Sequence, residues 1–151
     1  MNNIFLDTNF FLDVFDAKRE RHAKAKEVLE LFLANNVELY TSSDIISTIS
    51  YFLQKKLDLK SSVINIGFIV QQVTVLVADN EDFITLNQMI LEELEANSDL
   101  NIDYEDCMQL FLANKYQVQN ILTSDKSFCK GIAGYYFVNI MSLEDCLSGR
   151  G

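Results

Sequence analysis

The stretch "NIFLD", residues 3–7, decides the architecture of the chain. Its first four residues form a short apolar run, which is typical of a strand buried on both faces of a parallel sheet. An aspartate, Asp7, follows directly. Ligands bind outside the carboxyl ends of the strands in open parallel sheets, so this carboxylate is a candidate ligand-binding group.

Short strand-like and helix-like segments alternate along the rest of the chain. Strand patterns cover 37–41, 73–78, 120–123 and 135–140, and helix patterns cover 22–35, 42–56, 60–70, 81–96, 103–116 and 142–147. Apolar strands separated by helices are typical of a parallel sheet covered on both faces. We therefore predict a three-layer α/β/α fold with a central, mainly parallel sheet. Residues 1–147 are expected to form one domain, and residues 148–151 a short tail.

The charge of the chain is strongly acidic but unevenly placed. A formal net charge of −10 argues against a general nucleic-acid-binding protein, because such proteins use broad basic surfaces. Five of the 12 basic residues nevertheless fall within ten positions: Lys18, Arg19, Arg21, Lys24 and Lys26. This basic segment is either a solvated helix face or a local patch that contacts phosphate.

Cysteine usage and hydropathy indicate the cellular compartment. The three cysteines, Cys107, Cys129 and Cys146, have no metal-ligand spacing and are expected to be free thiols in a reducing cytoplasm. No apolar stretch reaches the roughly 18 residues that suggest a membrane span. The N-terminal segment has no basic leader, so we expect neither a signal peptide nor membrane insertion.

Carboxylates from three distant segments are expected to meet at one edge of the sheet. Asp125 follows the strand at 120–123, just as Asp7 follows the first strand. Asp103 and Asp106 lie three positions apart at the start of a helix and share one of its faces, whereas Glu105 is rotated about 100° away and is expected to face solvent. The helix carboxylates either complement the helix dipole or bind a metal ion.

Three segments in register carry a resemblance to a known family. "IFLDTNFFLDVF", "DYEDCMQLFLA" and "ILTSDKSF" together resemble the PIN-domain nucleases, in the same order and at similar separations over nearly the whole chain. The likeness is greatest to small single-domain PIN proteins, many of which are toxin subunits of bacterial toxin–antitoxin pairs. The resemblance implies a metal-dependent endoribonuclease that acts on RNA, with an antitoxin as a possible partner.

The resemblance assigns roles to individual residues. Asp7, Asp106 and Asp125 match the catalytic aspartates of the family, and Asn9 matches a position that usually tightens the first loop by hydrogen bonding. Mg²⁺ or Mn²⁺ would fit this set, because hard divalent ions prefer oxygen ligands and relieve the repulsion between clustered carboxylates.

One position departs from the pattern of the family. Thr48 stands where many PIN nucleases carry a glutamate, and Asp103 could supply the missing negative charge as a fourth ligand. The departure leaves a second hypothesis open, in which the chain is a catalytically inactive PIN-like module for protein interaction. A receiver-like phosphate-handling domain also gathers aspartates at strand ends, but it needs a lysine after the last strand, and "YYFVNIMS" has none.

The expected substrate contacts and assembly complete the sequence-based predictions. Arg19 and Arg21 are candidates for contacts with RNA phosphates, and Thr123 and Ser124 for positioning water or substrate beside Asp125. We also expect a homodimer, because the aromatic-rich segment 10–15 and the helix at 22–35 offer more apolar area than one core needs.

Overall fold

The computed structural model describes residues 2–125, 128, 132 and 137–149. Within this part of the chain, strands and helices alternate as the sequence predicts. The strands are β1 (Asn3–Leu6), β2 (Glu38–Ser42), β3 (Thr74–Leu76), β4 (Asn120–Leu122) and β5 (Asn139–Met141). The helices are α1 (Thr8–Phe15), α2 (His22–Ala34), α3 (Ser43–Lys56), α4 (Leu59–Gln72), α5 (Asn80–Ala96), α6 (Tyr104–Lys115) and α7 (Leu143–Leu147).

The five strands form one sheet in the order β3-β2-β1-β4-β5, and every neighbouring pair is parallel. The central strand β1 has its three apolar residues, Ile4, Phe5 and Leu6, fully buried. A strand with apolar side chains on both faces requires a covering layer on each side, and this explains the short continuous apolar run in the sequence.

The order of the strands distributes the helices between the two faces. Right-handed crossovers place α1 to α4, which connect β1, β2 and β3, on one face, and α5 and α6, which lead back to β4, on the other. The predicted three-layer α/β/α fold is confirmed. The direction of winding reverses between β1 and β4, and a crevice opens at such a switch point beyond the carboxyl ends of the strands.

Helix α1 is absent from the sequence-based prediction, which assigned no helix or strand to residues 8–15 and treated segment 10–15 as apolar area for a dimer. Six of its eight residues are buried, and the helix is shorter than the window of roughly 11 to 18 residues over which helical periodicity is read from a sequence. Phe10 and Phe11 are each at most 3% exposed and belong to the core of a single chain. The apolar area expected in segment 10–15 for a dimer interface is therefore already used within the chain.

Most predicted elements lie within a few residues of their expected bounds. Ser42 caps α3 by accepting a hydrogen bond from the Ile45 N–H at 3.2 Å, as its position before the helix predicts. The strands predicted at 73–78 and 135–140 are shorter or displaced, and residues 135 and 136 lie outside the described part of the chain.

Two further expectations concern thiols and membranes. Cys107 and Cys146 are buried free thiols, and Cys129 lies outside the described residues. Among the described helices, none has the length and hydrophobicity needed to cross a membrane.

Candidate active site

The site is organised around Asp7, which stands between β1 and α1. Its backbone N–H donates to the Leu122 carbonyl at 3.2 Å, so the parallel pairing of β1 with β4 extends to this residue. Its carboxylate caps α1 by accepting from the Thr8 N–H at 2.6 Å. The side chain therefore has a fixed position at the switch point of the sheet.

Two side chains from other elements complete the surroundings of Asp7. The Thr123 hydroxyl donates to Asp7 Oδ2 at 2.7 Å, and the Gln109 amide donates to Asp7 Oδ1 at 3.0 Å. Thr123 also accepts a hydrogen bond from the Asp125 N–H at 3.1 Å. Both carboxylate oxygens of Asp7 are thus oriented by donors: Oδ1 accepts two hydrogen bonds and Oδ2 accepts one, so Oδ2 keeps a lone pair for a ligand.

Helix α6 brings the second group of carboxylates. Asp103 is the N-cap residue, and its exposed side chain accepts from the Asp106 N–H at 3.1 Å. The helix-terminal role considered for Asp103 is therefore present in the structure. Asp106 lies in the first turn and is partly buried.

The prediction that Glu105 faces solvent is wrong. Its Oε1 accepts a hydrogen bond from the Thr8 hydroxyl at 2.9 Å, and its Oε2 lies 3.4 Å from the Thr48 hydroxyl. The Thr48 hydroxyl is also 3.1 Å from the Asp44 carbonyl, so its single hydrogen is shared between two acceptors. The long side chain of Glu105 thereby reaches Thr48 on α3, the position where the resemblance implies a glutamate.

One cavity of about 430 Å³ collects these groups. Its polar lining includes all four aspartates that the sequence predicts to converge, together with one acidic residue that it does not: Asp7, Asp103, Asp106, Asp125 and Glu105. In the described part of the chain, no three or more His, Cys, Asp or Glu side chains are arranged to hold a metal ion as they stand.

The proximity of the carboxylates shifts their protonation. Burial, and after it the negative charges of Asp7, Asp103, Asp125 and Glu105, raise the pKa of Asp106 from 3.8 to about 7. Burial raises the pKa of Asp7 as well, although the hydrogen bonds from Thr123, Gln109 and Thr8 oppose the effect. The pKa of Glu105 is raised by burial and by Asp7. The cavity therefore gathers carboxylates that raise one another's pKa values.

The mouth of the cavity carries a cation. The Arg19 Nε donates to Asp13 Oδ1 at 2.6 Å, and its Nη2 donates to Asn9 Oδ1 at 3.3 Å. The Asp13 side chain is 4% exposed, whereas that of Arg19 is 35% exposed. Asn9 therefore lies within α1 and orients Arg19, which differs from the loop-tightening role that the resemblance implies.

The other residues predicted to position substrate lie at a neighbouring cavity. Arg21 and Ser124 contact each other there, since the Arg21 Nη1 donates to the Ser124 carbonyl at 3.4 Å. Thr123 lines the same neighbouring cavity, but its hydroxyl is engaged with Asp7. Thr123 is therefore a residue that positions Asp7, and Ser124 and Arg21 are separated from the acidic group.

Sequence reasoning missed Gln109. This residue is 1% exposed and contacts Asp7 from α6, and its Oε1 has no hydrogen-bond partner among the described residues. Its position three residues after Asp106 predicts that both side chains share one helical face, so the spacing could have identified it.

Comparison with known proteins gives a direct assignment. Residues 3–127 match the PIN domain family. This chain belongs to that family. Ribonuclease VapC1 of Aquifex aeolicus (strain VF5) is 31% identical to it over 125 residues, which cover 83% of each protein. The resemblance identified from the three sequence segments is thus confirmed.

Solved structures of PIN-domain proteins share the fold. The VapC20 toxin of Mycobacterium tuberculosis, described as cleaving the sarcin–ricin loop, superposes with a TM-score of 0.65 at 19% identity over 85% of this chain and 94% of its own. A chain of the DNA-bound VapBC from Salmonella typhimurium superposes with a TM-score of 0.70 at 22% identity over 95% of this chain and 99% of its own. At these identities the likeness establishes the fold.

The raised pKa of Asp106 predicts a pH-dependent stability of the metal-free protein. A carboxyl whose folded pKa exceeds its unfolded value of 3.8 stabilises the folded state at low pH and loses that contribution as the pH rises through about 7. In EDTA, the melting temperature of Asp106→Asn should therefore equal that of the wild type near pH 4 and exceed it by about 2–4 °C at pH 8.

Differential scanning fluorimetry across this range measures the effect, with the exposed Asp99→Asn as the matched control. A difference between Asp106→Asn and the wild type that stays constant from pH 4 to pH 8 would contradict the assigned environment of Asp106.

Proposed function

We propose that this protein is an endoribonuclease that uses Mg²⁺ or Mn²⁺ bound by Asp7, Asp106 and Asp125. The observation that carries the proposal is the convergence of these side chains on one cavity at the switch point of the sheet. Membership in the PIN domain family and 31% identity to a ribonuclease support the same activity. The protein acts in the cytoplasm, and its substrate is RNA.

The residues of the cavity fit a hard divalent cation. Oxygen ligands from carboxylates are the donors that such ions prefer, and these ions retain several waters, so a few carboxylates suffice. The negative charges of the neighbouring carboxylates contribute to the raised pKa of Asp106. A bound cation would remove that repulsion, and it would lower the pKa of a bound water and neutralise charge on the phosphate.

The side chains around the cavity preorganise the carboxylate of Asp7 and place a positive charge for the substrate. Asp7 is held by donors from α1, α6 and the end of β4, so its carboxylate needs no reorganisation when a ligand arrives. Arg19 stands at the mouth of the same cavity, where its guanidinium is placed to contact an RNA phosphate. The basic segment 18–26 provides the local positive charge that an otherwise acidic chain needs to approach RNA.

Glu105 replaces the carboxylate that the family usually places at position 48. Its side chain lies within 3.4 Å of the Thr48 hydroxyl and lines the cavity. Asp103, in contrast, is exposed and occupied as the cap of α6. We therefore propose Glu105 as the fourth carboxylate of the site, with Asp103 contributing through its charge or through water. This exchange removes the main reason for regarding the protein as an inactive interaction module.

Assembly partners are part of the proposal. Large apolar side chains remain exposed along the adjacent helices α3 and α4: Tyr51, Phe52, Leu59, Val63, Ile64 and Phe68. Exposed apolar area of this kind marks protein interaction. Structural neighbours that come from VapBC and FitAB assemblies support an antitoxin as one partner. We propose that an antitoxin and a second copy of the chain use these surfaces.

Light scattering measures the mass of the protein in solution, and co-purification with the product of a neighbouring gene tests for the antitoxin. A monomeric mass together with no co-purified protein would contradict this proposal.

The Asp7→Asn variant tests the proposed activity. Asparagine is nearly isosteric, and Thr123 can reverse its hydroxyl to accept from the new amide, so the fold should persist. Loss of the preorganised negative charge should lower metal-dependent cleavage of single-stranded RNA about 100-fold or more. Asp99→Asn serves as the control and should cleave as the wild type does. Undiminished cleavage by both Asp7→Asn and Asp106→Asn would place the activity elsewhere.

Moving one carboxylate between helices tests the role of Glu105. Glu105→Gln keeps the side chain's shape but removes its charge, and it should weaken Mn²⁺ binding about tenfold or more. Adding Thr48→Glu to that variant should restore part of the affinity, because a carboxylate returns to the same place from α3. In the wild-type background Thr48→Glu should give no gain, since the added charge is repelled by Glu105.

Isothermal titration with Mn²⁺ measures all three variants, and the exposed Glu95→Gln provides the matched control. A larger loss in Asp103→Ala than in Glu105→Gln would show that Asp103 is the fourth ligand. Failure of Thr48→Glu to restore any affinity to Glu105→Gln would contradict the proposed exchange.

A further inference from the structure

A second cavity, of about 360 Å³, lies directly beside the acidic one. The two share Asp125, and the segment from Thr123 to Asp125 forms the boundary between them. The second cavity opens between the end of β4 and the end of β5. A strand that places a phosphate beside Asp125 can therefore place an adjoining group in this opening.

The walls of the second cavity are mainly apolar. Four side chains supply this surface: Phe128, Ile140, Met141 and Leu143. All but Ile140 are at most 6% exposed, and Ile140 is 37% exposed. The three buried side chains belong to the hydrophobic core, and Ile140 stands closer to solvent.

Charged groups occupy the edges of the cavity. Arg21 lines one side, where its guanidinium is held by the Ser124 carbonyl at 3.4 Å. Glu144 and Asp145 line another side, and Glu144 forms an ion pair with Lys24 at 3.0 Å. Together with Asp125, these carboxylates make the interior unfavourable for a phosphate, whereas Arg21 can contact a phosphate outside it.

A nucleobase matches these features. Binding pockets for small ligands start at roughly 300 Å³ and combine apolar walls with a few polar groups. Proteins that bind single-stranded RNA place unstacked bases on apolar and aromatic side chains and read their edges by hydrogen bonds. Carboxylates accept hydrogen bonds from exocyclic amino groups, so the acidic edge favours cytosine over uracil.

We propose that this cavity is a nucleobase subsite for the nucleotide next to the scissile phosphate, and that it prefers a base with an amino group. The inference rests on the proposed function, since it takes the phosphate between Asp7, Asp106 and Asp125 as the point of cleavage. Arg21 contacts the adjoining phosphate, and the apolar walls stack the base.

Scanning an RNA substrate with abasic nucleotides tests the subsite. The cut positions in a mixed-sequence single-stranded RNA are first mapped, and oligonucleotides are then made with one abasic ribonucleotide at each position around a cut. For the wild type, kcat/KM should fall about tenfold at one position beside the cut and change little elsewhere. Equal losses at all positions, or none, would overturn the proposal.

Ile140→Trp fills the mouth of the cavity and provides the decisive variant. It should cleave the intact oligonucleotide about tenfold more slowly and should no longer respond to the abasic nucleotide. The Mn²⁺-induced rise in melting temperature should match the wild type, which shows an intact fold and metal site; Ile140→Phe replaces it if the tryptophan variant does not fold. Ile84→Trp, exposed on α5 and lining neither cavity, is the matched control. An abasic penalty that persists in Ile140→Trp would contradict the subsite.

A binding measurement separates failure of the subsite from failure of the proposed function. Cytidine 5′-monophosphate added to the protein should shift the amide resonances of Ser124, Ser142 and Leu143, more than uridine 5′-monophosphate does, and Ile140→Trp should abolish the shifts. Shifts confined to the basic segment 18–26 would overturn the subsite even if RNA is cleaved. Specific shifts without metal-dependent cleavage would support the subsite and contradict the nuclease.

Discussion

The parallel pairing of β1 with β4 fixes the position of Asp7, and the remaining groups of the site are arranged around this carboxylate. The N–H of Asp7 continues the pairing by bonding to the Leu122 carbonyl. Its side chain then begins α1 and receives donors from Thr123 and Gln109. Because the winding of the chain reverses between these two strands, none of the described helices crosses over the place where their ends meet. The crevice that remains open there is the acidic cavity.

The fold places several carboxylates in this cavity at an electrostatic cost. Asp106 shows it most clearly, since its pKa is raised to about 7 by burial and by its neighbours. Elsewhere in the described chain buried charges are neutralised locally: Asp13 by Arg19 and Asp82 by Lys115. The contrast distinguishes a structural ion pair from a ligand site, because in the cavity several neighbouring carboxylates raise the pKa of Asp106. A cation would stabilise this arrangement.

The sequence predicts the placement of Asp7 and Asp125 because strand polarity alone puts both at one edge of the sheet. It does not predict α1, since this helix is shorter than the roughly 11 to 18 residues over which helical periodicity is read from a sequence. Nor does it predict the direction of Glu105. Helical spacing gives the angle between side chains on one helix. The end of a long side chain, however, is positioned by residues on neighbouring elements. Here Glu105 points into the cavity because it contacts the hydroxyl groups of Thr8 and Thr48. The spacing of Gln109 from Asp106 predicts that it faces the site, but its side chain is uncharged, and the sequence-based prediction of ligands considered carboxylates.

We propose that carboxylates at the end of β1, on α6 and at the end of β4 together bind a divalent metal ion. Anomalous diffraction at the manganese absorption edge, from a crystal grown with Mn²⁺, tests it most directly. The account predicts a peak in the acidic cavity, with oxygens of Asp7 and Asp106 as ligands and Glu105 or Asp125 completing the set. A peak bound only by exposed carboxylates such as Glu92 and Glu95 of α5, with none in the cavity, would contradict it.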